Sequence, residues 1–246
     1  MRKTWAIIRR ELIAYFSSPL AYIVMTAFLL MQGYIFYLIV SFLNNPQTPA
    51  MTPLRLFFGG TIFFWLFLLF VVPVITMRLI AEERRSGTIE VLLTSPVSEA
   101  QVVVGKFTAV LIFYVALWLP TILYVVVLKR NSEIDLGPVV AGYIGVLLLG
   151  FLFLSVGTLA STLSNNQLIA AIIAFAAMVA LFSIGLVEQL LTSSFFKAVL
   201  AHMNLWTQMD DFAKGIVDTR HVVYQLSVGV LFLFLATKSL EVKKWR

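Results

Sequence analysis

The sequence predicts an all-α integral membrane protein with six transmembrane helices, and two observations carry that prediction. Of 246 residues, 61% are hydrophobic and only 12% charged, with a mean hydropathy of +0.96. A water-soluble fold cannot bury that much apolar surface. The charges are also clustered, and the uncharged runs between clusters match the roughly 20 apolar residues a helix needs to cross about 30 Å of hydrocarbon.

Residues 1–18 make the first element. Trp5, Ile8, Leu12, Tyr15 and Phe16 recur at helical spacing, while Arg2, Lys3, Arg9 and Arg10 take other faces. This is the pattern of a helix lying in the membrane interface. No small-residue cleavage site follows it, so the first span is expected to insert without being removed. Ser17-Ser18-Pro19 then stops one helix and starts the next, with Pro19 tolerated in the first turn.

Six spans follow, near 19–43, 56–79, 102–128, 138–162, 168–187 and 221–240. Asn44-Asn45-Pro46, Pro49 and Pro53 end the first; Arg55, Arg78, Lys106 and Lys129 bracket the next two. The uncharged run 136–187 holds two spans, parted by Ser164-Asn165-Asn166-Gln167, which reads as a tight turn. Pro73 and Pro120 are candidate kinks. With the N-terminus inside, twelve of the eighteen Lys and Arg residues fall on the inner side, the bias expected of cytoplasmic segments. Both termini are then cytoplasmic. The net charge of +6 is explained by an anionic membrane surface, without a nucleic acid partner.

Segment 80–101, between spans 2 and 3, concentrates charge: Glu82-Glu83-Arg84-Arg85, then Glu90 and Glu99. Gly87 is expected to break the helix leaving span 2, and Thr88 to Leu93 can form a short amphipathic turn that Pro96 ends. Ser98 and Gln101 have capping-box spacing for span 3. Segment 188–220 is too apolar for a free loop (Leu190-Leu191, Phe195-Phe196, Leu205-Trp206) yet carries Glu188, Lys197, His202, Asp210, Asp211, Lys214 and Asp218. Short helices dipping into the outer leaflet, or an external amphipathic hairpin, would reconcile these facts. Asp210-Asp211 reads as a solvated helix start.

Enzymatic readings find little support. Cysteine is absent and His202 and His221 have no metal-ligand spacing, so no metal site is expected. The nearest approach to a phosphate-binding loop, Gly105-Lys106-Phe107-Thr108, has Ala100 in place of the upstream glycine and no hydroxyl directly after the lysine. An intramembrane protease would need His-Glu-x-x-His, intramembrane aspartates, or a base for Ser155 or Ser183, and none is present. Gln32 alone is thin support for ion coupling. An apolar pathway suits lipidic, amphipathic or polymeric cargo better. Gly142, Gly145, Gly150, Ser155 and Gly157, with Ala170, Ala171, Ala174, Ala176 and Ala177, permit close helix packing, either inside the subunit or at a dimer seam.

The stretch Met77-Arg78 through Glu82, with Ser86-Gly87-Thr88-Ile89-Glu90-Val91-Leu92-Leu93 and Pro96-Val97-Ser98, resembles the cytoplasmic signature of type 2 ABC transporter permeases. It is most similar to the small six-span bacterial subgroup that includes the gliding-motility permeases. The resemblance implies that 80–101 is a coupling helix seated in a cleft of a cytoplasmic ABC ATPase subunit. Glu82, Glu83, Arg84 and Arg85 would make ionic contact with that subunit, and Gly87, Thr88, Glu90, Leu92 and Leu93 would belong to the docking helix. ATP and magnesium would sit on the partner, leaving no cofactor in this chain. It further implies a second permease subunit, identical or not, surrounding membrane lipid, the bacterial inner membrane as location, and external re-entrant helices before span 6. The expected function is a permease moving an unknown substrate with energy from the separate ATPase. The alternative is an assembly doing mechanical or regulatory work on an extracytoplasmic partner.

Overall fold

The computed structural model describes residues 2–44, 52–88, 97–131, 134–190 and 194–244. Among them every regular element is a helix, and six helical stretches are long and apolar enough to span a membrane: Pro19–Leu43, Ile62–Arg85, Glu99–Asn131, Leu136–Leu163, Gln167–Leu190 and Thr219–Val242. An even number of spans returns the chain to the face on which it began.

Helix α1 (Arg2–Phe16) ends as Ser17 and Ser18 complete its last turns, and Pro19, with no amide to leave unpaired, opens α2 (Pro19–Leu43). Ile7 and Ile8 form the buried side of α1, whereas Trp5, grouped with Ile8 by spacing, is 63% exposed. Gly105 makes room for Ile7, since a Cβ there would stand 2.9 Å from Ile7 Cγ2.

The second span begins later than the expected 56. Residues 53–60 instead form a buried turn in which Phe58 leaves helical geometry and Gly59 takes φ +101°, with Trp65 Nε1 donating to Gly59 O at 3.0 Å. The turn is as apolar as the span that follows, so hydropathy does not separate them. Helix α3 (Ile62–Thr76) contains Pro73 and gives way, after an irregular turn at 77–80, to the short α4 (Ala81–Arg85). Helix α5 (Glu99–Trp118) starts with the expected capping box: Gln101 N donates to Ser98 Oγ at 3.3 Å and Ser98 N to Gln101 Oε1 at 3.2 Å. Pro120 imposes one tight 3-10 turn, after which the span continues as α6 (Ile122–Asn131).

Helix α7 (Leu136–Leu163), started by Asp135 accepting from Gly137 N at 2.9 Å, is the central helix. Two-thirds (67%) of its most apolar window is buried, against 22%, 22% and 17% for α2, α8 (Gln167–Leu190) and the last helix, so α7 is the span most enclosed by the rest of the chain and the other three lie at its outside. Its glycines sit at close approaches within the subunit: a Cβ at Gly142 would meet the Phe58 ring, at Gly145 Phe212, at Gly150 Tyr114, and at Gly157 Thr76. Those four glycines therefore serve internal packing, and Ala170 and Ala174 of α8 are buried with them.

Two short helices, α9 (Ser194–Met203) and α10 (Leu205–Ala213), occupy the segment before the last helix, α11 (Thr219–Lys244). Asn204 caps α10 through Oδ1, and its Nδ2 donates to Glu188 at 2.6 Å. Asp210 and Asp211 lie in the last turn of α10, not at a helix start. Asp210 receives both Nε and Nη2 of Arg55, at 2.7 and 3.2 Å, and pairs with Lys214, while Asp211 meets His221 Nε2 at 3.0 Å. Burial pushes the Asp210 carboxyl up, but Arg55 and Lys214 outweigh it and hold it below its ordinary range. These ties fasten α10 to the 53–60 turn and to α11.

Candidate coupling surface and the charge cluster beneath it

The surface that the sequence marks for a partner begins where α3 breaks. Residues 77–80 leave two amides without intrahelical acceptors, and Ser161 of α7 supplies the missing oxygen: Ile80 N and Ala81 N donate to its Oγ at 3.0 and 3.1 Å, and the hydroxyl donates to Met77 O at 3.2 Å. Ile80, Ala81 and Ser161 are fully buried, so no water can substitute at the two amides. Ser161→Ala is expected to leave both amides unmet and to lower stability by about 1–3 kcal/mol, measured as a drop in melting temperature in detergent.

The other end of α4 is also capped. Ser86 Oγ donates to Glu82 O at 2.9 Å, Thr88 Oγ1 to Glu83 O at 3.4 Å, and Gly87 N to Arg84 O at 3.2 Å. Gly87 adopts φ +72°, a left-handed conformation that ends the helix and that glycine takes without strain. The expected break is therefore present.

The candidate contact residues separate by side. Arg85, Gly87 and Thr88 are exposed and Arg84 is partly so. Glu90, Leu92 and Leu93 lie outside the described residues. Glu83 turns inward: its Oε1 receives Arg10 Nη2 at 2.7 Å and Lys106 Nζ at 3.0 Å. Lys106 and Arg10 also share Glu11 Oε1, at 3.0 and 2.7 Å. Lys106 is 2% exposed, Glu11 13% and Glu83 17%. Two cations and two carboxylates thus join α1, α4 and α5, with Lys106 and both carboxylates largely out of water and Arg10 at the open edge, so that one carboxylate oxygen of Glu83 is committed within the subunit. Burial pushes the Glu11 carboxyl up, but Lys106 and Arg10 outweigh it and hold it below its usual value.

Spacing did not reveal this cluster. In the sequence Lys106 only brackets a span, and Glu11 stands out by no pattern. One signal was available: a lysine eight residues into a capped helix is already below its polar end, and a lysine there needs a carboxylate partner from another element.

An amphipathic cleft of about 880 Å³ opens beside the cluster, between α1, the start of α2, the end of α3, α4 and α5. Tyr15, Ala21, Val24, Ile75, Leu79 and Phe113 are among its apolar walls, and Arg10, Glu11, Arg78, Glu82, Glu83 and Lys106 supply its charge. Tyr15 donates to Ile75 O at 2.7 Å and stacks on Phe113 with ring centroids 5.1 Å apart. Among the described residues no group of three or more His, Asp or Glu is placed to hold a metal ion.

No curated protein matches the chain in sequence. The family model described as ABC-2 family transporter protein matches residues 51–201, a stretch that takes in the α3–α4 break, α4 and four of the six spans. With six apolar helices, one of them central, and this match over more than half of its length, the chain belongs to the ABC-2 transporter membrane family.

Proposed function

We propose that this chain is the permease subunit of an ATP-driven transporter, coupled through the segment after α4 to a separate ATPase that carries ATP and magnesium. An ABC-2 permease domain is a membrane component and not itself catalytic. The observation that carries the reading is the mounting of α4. Ser161 anchors its start in the central helix, the Lys106 cluster fastens its inner side, and Gly87 ends it in a left-handed turn. A push on the exposed side would then be passed to α7, α5 and α1 as a rigid-body displacement rather than absorbed locally. Arg84, Arg85, Gly87 and Thr88, followed in the chain by Glu90, Leu92 and Leu93, form the contact surface. Glu83, grouped with them by sequence, supports that surface from within. The protein works with a second permease subunit in the inner membrane, with both termini cytoplasmic. Its cargo is lipidic, amphipathic or polymeric.

Purification of the tagged chain from its native membrane in mild detergent, with mass spectrometry of what remains bound, tests this reading. A soluble ATPase with Walker motifs is expected with the wild type and is expected to be lost with Arg85→Glu/Leu92→Asp. Retention of that ATPase by the double variant would remove 84–93 as the contact, and absence of any ATPase would sink the coupled-permease reading. A large extracytoplasmic chain in the same preparation would favour mechanical work on a partner over export.

A further inference from the structure

The charges lining the cleft beside α4 are not all paired. Arg10 and Lys106 are matched by Glu11 and Glu83. Arg78 and Glu82 form no ion pair among the described residues, and two carboxylate oxygens on the cleft lining, Glu82 Oε2 and Glu83 Oε2, are buried without a hydrogen-bond partner; Glu83 has its other oxygen paired, whereas Glu82 has no ion pair at either. Arg78 and Glu82 lie four positions apart in the chain and both line the cleft, without pairing with each other. Tyr15, Val24, Leu79 and Phe113 give the same cleft an apolar lining. The cleft is level with the starts of α2 and α5 and the end of α3, which is headgroup depth for spans of this length.

A separated cation and anion above an apolar slot are complementary to a zwitterion carrying a hydrocarbon chain. The unsatisfied carboxylate oxygen selects further. It needs a hydrogen-bond donor, which a primary ammonium supplies and a quaternary ammonium does not. Arg78 offers a fork of donors suited to a phosphate. We propose that this cleft is a binding site for one phospholipid with a primary-amine headgroup, phosphate on Arg78, ammonium on Glu82 and acyl chain along Tyr15, Val24 and Phe113. A lipid held there would bridge α1, α2 and α4, and make the stiffness of the α4 mount depend on membrane composition. The proposal goes beyond the coupling reading and does not rest on it, since the site lies wholly within this chain.

Native mass spectrometry of the purified full-length chain, titrated with phosphatidylethanolamine, phosphatidylcholine and phosphatidylglycerol of identical acyl chains, tests the site. Phosphatidylethanolamine is expected to bind at least about tenfold more tightly than the other two. Glu82→Gln and Arg78→Gln, at partly or fully exposed positions, are each expected to reduce it to the phosphatidylcholine level while leaving the melting temperature unchanged. Glycerophosphoethanolamine, the headgroup without chains, is expected not to displace the lipid at equal concentration. Equal binding of the three lipids, preference for the anionic one, indifference to both substitutions, or displacement by the bare headgroup would each overturn the proposal.

Discussion

Lys106→Met is expected to destabilise the protein by about 3 kcal/mol, the range for removing one partner of a buried ion pair. The ammonium is 2% exposed and serves two carboxylates that are themselves 13% and 17% exposed. Without it, Glu11 and Glu83 face one another across a low-dielectric space with only the half-exposed Arg10 between them. Methionine fills a similar volume, so the loss reports charge rather than a cavity. The intrinsic fluorescence of the five tryptophans provides the melting curve. A change within a degree or so of wild type would mean that the cluster contributes nothing.

The same cluster predicts a pH dependence. Glu11 is held below its ordinary value of 4.5 in the folded protein, so its contribution is present in full above about pH 4.5. It is lost as the pH falls through the lower, folded-state value. Wild type is expected to lose stability in that acid window, and Lys106→Met to lose much less there. Parallel acid profiles for the two proteins would contradict this assignment.

Gly150→Val is expected to be the most damaging change in the spans. A Cβ at Gly150 would overlap the ring of Tyr114, which is fully buried and whose hydroxyl donates to Val146 O at 3.2 Å. Neither helix can yield easily, because α7 is the most buried of the spans and Tyr114 sits against Trp118. Overpacking of this kind costs about 1–3 kcal/mol and sometimes more, and in a membrane bundle it opens the close helix approach that small residues permit. Loss of monodisperse protein, or a melting temperature lowered by many degrees, is expected. Gly137→Ala is the control: its Cβ would stand 3.4 Å from Asp135 Oδ1, an ordinary contact. Equal tolerance of both substitutions would show that α7 and α5 can separate freely.

The number of spans, the capping box at Ser98 and Gln101, the turn between α7 and α8 and the break at Gly87 were all legible in the residues. Each depends on local chemistry: hydrocarbon thickness, an orphan amide, a left-handed φ. The start of the second span was not legible, because the buried turn at 53–60 is as apolar as the helix it precedes. Asp210-Asp211 read as a helix start, but acidic residues can equally close a helix when Arg55 and Lys214 stand ready to pair with them.

By itself the sequence determined that this chain crosses a membrane six times and where its polar segment breaks, because burial of apolar side chains and satisfaction of backbone amides are decided within a few residues. Only the tertiary structure decided which charges on that segment face outward. Glu83 and Arg85 are two positions apart in the same charged run. One is held inside by Lys106, twenty-three positions later in the chain, and by Arg10, seventy-three earlier; the other is left exposed. A buried charge needs its partner in space, and no pattern along the chain specifies which helix will bring it.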